Sequence, residues 1–145
     1  MDLTSYNYIL EYWEQIRKGK IVVSRRIKIL YEKLAKDIED PLGNYVFDIE
    51  KAMRPIIFIE RFCKHSKGRW AGKPVLLELW EKALIQAIFG FVHIDSDKRK
   101  YTKAILFVAR KNGKSLIASC IALFMLTKDG EGGAECFSIA KFVAI

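Results

Sequence analysis

The chain opens with three stretches whose apolar residues recur at helical spacing. Ile9, Leu10, Trp13 and Ile16 form the first, with Thr4 as its predicted N-cap and Lys18-Gly19-Lys20 as its end. Ile27, Leu30, Tyr31, Leu34 and Ile38 form the second, capped by Ser24. Asp40 to Asn44 (DPLGN) is a loop signal. Asp48 caps the third stretch, which carries Ile49, Ala52, Met53, Ile56, Ile57, Ile59 and Phe62. Pro55 is expected to kink or restart that helix, because proline removes a backbone donor. Residues 1–65 therefore read as a helical leader.

A basic, glycine-bearing segment, Lys64 to Pro74, follows as a linker or exposed loop. Glu78 to Ile88 reads as a fourth helix with Leu79, Trp80, Ala83, Leu84, Ala87 and Ile88 inward, closed by Gly90. Asp95 to Lys100 is a charged turn.

From Ala104 the pattern changes. Ala104 to Ala109 (AILFVA) is apolar without alternation, the pattern of a central parallel strand covered on both faces. Leu116, Ile117, Cys120, Ile121, Leu123 and Phe124 then return to helical spacing, and Ala134 to Ala140 (AECFSIA) alternates loosely as a second strand. Strand, helix and strand in this order predict a βαβ unit, so the fold class read from the sequence is α/β.

Between the predicted strand and helix stands a polar elbow, Arg110-Lys111-Asn112-Gly113-Lys114-Ser115. A helix start leaves N–H groups unpaired and carries partial positive charge, so it favours anions. Gly113 lets the backbone approach a phosphate, Lys114 can reach β- and γ-phosphates, and the Ser115 hydroxyl can ligate Mg²⁺. These are the roles in the phosphate loop G-x-x-x-x-G-K-[ST]. The window is Val108 to Ser115: its last three positions match, and Val108 replaces the first glycine. The alternative is a solvated turn that keeps its lysines in water.

Composition narrows the partners. The net charge is +8 with a pI near 9.4, which suits polyanions or a basic soluble protein. Residues 98–114 hold seven Lys or Arg and no acid, and Lys98, Arg99, Lys100 and Lys103 are candidates to meet a DNA backbone. Trp70, within the basic loop, either stacks on a base or packs beneath the loop. Three widely spaced cysteines predict neither a disulfide framework nor a zinc site. The first residues are not a signal peptide, and no apolar run is long enough for a membrane span. An intracellular, soluble protein is expected.

The form Ala-Arg-Lys-Asn-Gly-Lys-Ser, without a leading glycine, resembles the Walker A motif of tailed-phage terminase large subunits. Phe58 to Phe91 looks like that family's segment before the motif, Asp129 to Ala140 like the strand after its helix, and Gly19 to Leu34 like its helical leader. The resemblance runs from about Tyr6 to Ala140. It implies an N-terminal ATPase part in which residues 66–145 are an incomplete P-loop domain, with a partial parallel sheet.

It further implies ATP and Mg²⁺ as cofactors. Gly113, Lys114 and Ser115 would hold phosphate and metal, Arg110 would assist, and Lys111 and Asn112 would complete the loop. Trp80 and Glu81 would border the adenine. The family pattern has glutamine after Trp80; Glu81 can accept from the adenine amino group but donates only when protonated. Implied partners are double-stranded phage DNA, the terminase small subunit and the prohead portal, in the host cytoplasm.

Thirty residues follow Ser115, and they hold no acidic Walker B strand and no nuclease domain. No catalytic residue is therefore assigned within the chain. It is expected to be a truncated or frameshifted piece, inactive or weakly active alone. Two other readings stand beside this one: another P-loop ATPase fragment of helicase type, and a non-enzymatic basic DNA-binding module.

Overall fold

A computed structural model describes residues 5–66, 68–130 and 133–137. The elements run α1 (Tyr8–Arg17), α2 (Arg25–Glu39), β1 (Tyr45–Phe47), α3 (Ile49–Phe62), α4 (Leu79–Gly90), β2 (Phe91–His93) and α5 (Lys114–Thr127). A short 3₁₀ turn, Gly68–Trp70, lies between α3 and α4.

The caps follow the side-chain chemistry. Ser24 and Asp48 accept from Ile27 and Lys51 N–H, as their positions predict. The first helix starts later than predicted: Asn7, whose Oδ1 accepts from Leu10 N–H at 3.0 Å, is its N-cap, and Thr4 lies outside the described residues. Pro55 neither ends nor restarts α3, which runs through it with Pro55 buried.

α4 is the hub. On one side Ala83 and Ala87 join Ile9, Tyr12 and Ile16 of α1 and Tyr31 and Leu34 of α2. On another, Ile85 and Phe89 join Met53, Ile56 and Ile59 of α3 and Cys120 and Phe124 of α5. Burial on both sides explains why the predicted single inward face was incomplete: Ile85, Gln86 and Phe89 are buried as well.

Gln86 ties the hub to the chain's start. Its Oε1 accepts from Tyr8 N–H at 2.7 Å and Ile9 N–H at 3.3 Å, and its Nε2 donates to Tyr6 O at 2.8 Å. The side chain is fully buried, so each of these bonds replaces water that cannot reach it.

The chain is mixed helix and strand, and its sheet differs from the predicted one. β1 and β2 pair antiparallel, Val46 opposite Val92, and form the one sheet among the described residues. The predicted parallel strand at 104–109 has no regular secondary structure and sits in no ladder. Residues 134–137 of the second are the same, and 138–140 lie outside the described residues. A central strand exists only where neighbours complete its hydrogen bonds and cover its faces. Here Ile105 is 82% and Phe107 92% exposed, so neither condition is met. No helix among the described residues is long and apolar enough to cross a membrane.

Candidate functional site

The elbow keeps its helix even without the predicted sheet. α5 begins at Lys114, buries Ile117, and is anchored by Cys120 and Phe124, which join the cluster shared with α3 and α4. Phe124 meets Phe89 edge-on, ring centroids 5.5 Å apart. This packing fixes where the start of α5 lies.

The turn before it is shaped by backbone. Gly113, the N-cap, has φ +68°, a left-handed conformation that glycine adopts freely. Lys111 is also left-handed, at φ +67°, and Asn112 Nδ2 donates to Ala109 O at 3.3 Å. The first intrahelical bond runs from Ile117 N–H to Gly113 O. The N–H groups of Lys114, Ser115 and Leu116 precede it and have no place in the helical ladder. No side chain caps them. Arg110, Lys111, Asn112, Gly113, Lys114 and Ser115 are all exposed.

Glu81 comes to this turn from α4. A Cβ added at Gly113 would lie 3.6 Å from Glu81 Oε1. The other carboxylate oxygen accepts from Glu78 N–H at 2.8 Å, half of a reciprocal capping box at the start of α4. The starts of α4 and α5 therefore converge, with Glu81 between them. Burial pushes the Glu81 carboxyl above the usual range; the Glu78 carboxylate adds to the shift, and the bond from Glu78 N–H opposes it.

Trp80, next to it, packs half-buried against the α1–α2–α4 cluster. The structure thus brings Glu81 to the elbow and sets Trp80 into the core beside it. Lys114 also borders a groove of about 540 Å³, walled by Leu84 and Ile88 of α4, Ile105, and Ile121 of α5.

Sequence reasoning missed the capping role of Glu81. The signal was the Glu78-x-x-Glu81 spacing, obscured because the first position is not Ser or Thr. A loop with exposed cations ahead of unpaired first-turn donors can accept a phosphate-type anion.

Comparison with known proteins points the same way. Residues 79–141 match the family described as terminase large subunit, ATPase domain. The segment starts at the first residue of α4 and includes the elbow and all of α5. The chain is also 37% identical over 70 residues to the large terminase subunit of Enterobacteria phage HK97. That match covers 48% of this chain and 13% of the relative. No solved structure matches. The resemblance to terminase large-subunit ATPase domains read from the sequence is thus supported by both matches. The family segment is shorter than the stretch read as similar, since it begins at residue 79.

Proposed function

We propose that this chain is the N-terminal ATPase part of a phage terminase large subunit, and that it binds the phosphates of ATP at the start of α5. In this reading residues 1–65 are the helical leader and 66–145 the beginning of the ATPase domain. The observation that carries it is the left-handed Gly113 opening α5, with the N–H groups of Lys114, Ser115 and Leu116 ahead of the first helical bond.

The residues present fit the group. Gly113 has no Cβ to block a phosphate, the exposed Lys114 ammonium stands at the same turn, and the exposed Ser115 hydroxyl is free to face a metal. Mg²⁺, when bound, would neutralise charge on the phosphates. Ser115 would hold it, Lys114 would pair with the β- and γ-phosphates, and Arg110 would add a second cation. Lys111 and Asn112 would shape the loop. Trp80 and Glu81 would border the base, Glu81 accepting from an adenine amino group.

Hydrolysis needs further groups to orient water and hold the metal's far side. Among the residues described, none is assigned to those roles. The motor's DNA, small subunit and portal would be the partners of the intact protein.

The reading is tested by titrating the chain with fluorescent Mg-ATP. Lys114→Ala should weaken binding at least about tenfold, the loss of one charge-assisted phosphate contact, with the melting curve unchanged. Equal binding by both proteins would remove the phosphate-loop assignment.

A further inference from the structure

The loop between α3 and α4 forms a second basic segment, distinct in sequence from the phosphate loop. From Arg61 to Leu77 the sequence holds Arg61, Lys64, His65, Lys67, Arg69 and Lys73 and no Asp or Glu. The backbone folds back on itself there. Val75 N–H donates to Cys63 O at 3.0 Å, His65 N–H to Lys73 O at 2.9 Å, and Gly72 N–H to His65 O at 2.8 Å. Lys64 and Pro74 form an isolated antiparallel bridge at its base.

Trp70 crowns the loop and is 49% exposed, so it is not packed beneath it. The Arg69 guanidinium lies 5.2 Å and the Lys73 ammonium 4.7 Å from its ring centroid. Arg61 stands 5.6 Å from the centroid of Phe62, itself an exposed ring. Aromatic faces attract cations, and the contact restricts long side chains that otherwise wander.

Pairing sets this loop apart from several cations elsewhere in the fold. Arg99 pairs with Asp129 at 2.8 Å, Lys100 with Asp37 at 3.0 Å, and Lys51 with Asp97. Arg54 donates to Lys128 O. A carboxylate meets the charge of Arg99, Lys100 and Lys51, whereas Lys98, Lys103, Arg110, Lys111 and Lys114 are exposed with no ion pair among the described residues. Among the described residues, no carboxylate pairs with Arg61, Lys64, Arg69 or Lys73. Cations that are exposed, unpaired and held on rings complement a partner whose negative charge repeats along its length.

We infer that this loop docks the phosphate backbone of a nucleic acid, with Arg69 and Lys73 on phosphates and Trp70 as the residue that positions them. Such contacts fix register without reading sequence, and salt weakens them. The inference rests on the loop's charges and rings and not on nucleotide at Lys114, so either can fail without the other.

Anisotropy of a labelled short DNA duplex, without ATP, tests it. Between about 50 and about 200 mM salt, Arg69→Gln with Lys73→Gln should reduce the slope of log K against log salt by about 1.8, two phosphate contacts. Arg25→Gln with Arg26→Gln, exposed on α2, removes the same charge and should leave the slope unchanged. Duplex should also quench tryptophan emission, and Trp70→Phe should abolish the quench although Trp13 and Trp80 remain. Equal losses in both double variants would overturn the inference. So would an unaltered slope in the loop variant, a quench that survives Trp70→Phe, or binding to anionic lipid vesicles but not to duplex.

Discussion

Glu81 Oε1 stands 3.6 Å from where a Cβ on Gly113 would be, joining the starts of α4 and α5. This places a carboxyl group, most of its surface buried, beside a turn rich in positive charge. It also sets two properties against each other. The carboxylate holds the capping box of α4, and its burial disfavours the charged form.

Glu81→Gln should relieve that conflict. A raised folded-state pKa means the folded chain holds the proton more tightly than the unfolded chain, whose value is 4.5. The stability Glu81 contributes is therefore full below 4.5 and is lost as pH rises through the higher folded value. The amide has no such loss and can still accept from Glu78 N–H. The variant should be more stable than the natural chain near neutral pH, with the gap closing under acid. Urea midpoints across pH check this. If adenine lies against this residue, the amide should also raise ATP affinity, because it can donate to a ring nitrogen.

Gly113→Ala isolates the turn. The added Cβ would make only ordinary contact with Glu81, so the cost lies in the left-handed backbone, about 1 kcal/mol. Denaturant unfolding should show that loss. Lys114→Ala, at an exposed side chain, should leave stability within about 0.5 kcal/mol. ATP binding should fall in both.

Gly90→Ala should be worse, for a different reason. Gly90 has no positive φ; its Cβ would come 2.8 Å from Ala52 Cβ and 2.9 Å from Phe47 Cδ2. Overpacking of this kind costs about 1–3 kcal/mol. A double-mutant cycle with Phe47→Ala should recover part of it, since the ring is one of the clashing groups.

Gln86→Leu should uncouple α1. The apolar side chain leaves Tyr8 N–H and Tyr6 O without their partner, at about 1–3 kcal/mol for each group that water cannot reach. Hydrogen exchange should show earlier opening of α1 than of α3. Unchanged exchange would mean α1 is held by apolar packing alone.

How far the sequence reveals this structure depends on whether an element is defined locally. Ser24 and Asp48 were legible because a cap bonds within its own turn. Gly90 looked like a helix stop, and its reason, the approach of Phe47 and Ala52, lies in distant residues. β1 passed unnoticed because three residues carry no period of their own. The run at 104–109 read as a buried strand because periodicity reports what a segment requires, whereas pairing depends on segments beside it. Of the candidate site, the elbow from Arg110 to Ser115 was visible as a motif. The tie from Glu81 to Gly113 joins positions 32 residues apart (113 − 81), which no local pattern shows. Gln86 was passed over because a lone glutamine inside an apolar helix reads as surface.

The most direct test of the central claim is the amide resonances of Gly113, Lys114 and Ser115 during titration with Mg-ATP. If the start of α5 binds phosphate, these amides should shift together and saturate with one affinity, while Gly19 and Gly43, in the turns after α1 and α2, stay still. Shifts confined to other residues, or none, would contradict the assignment of the elbow as a nucleotide site.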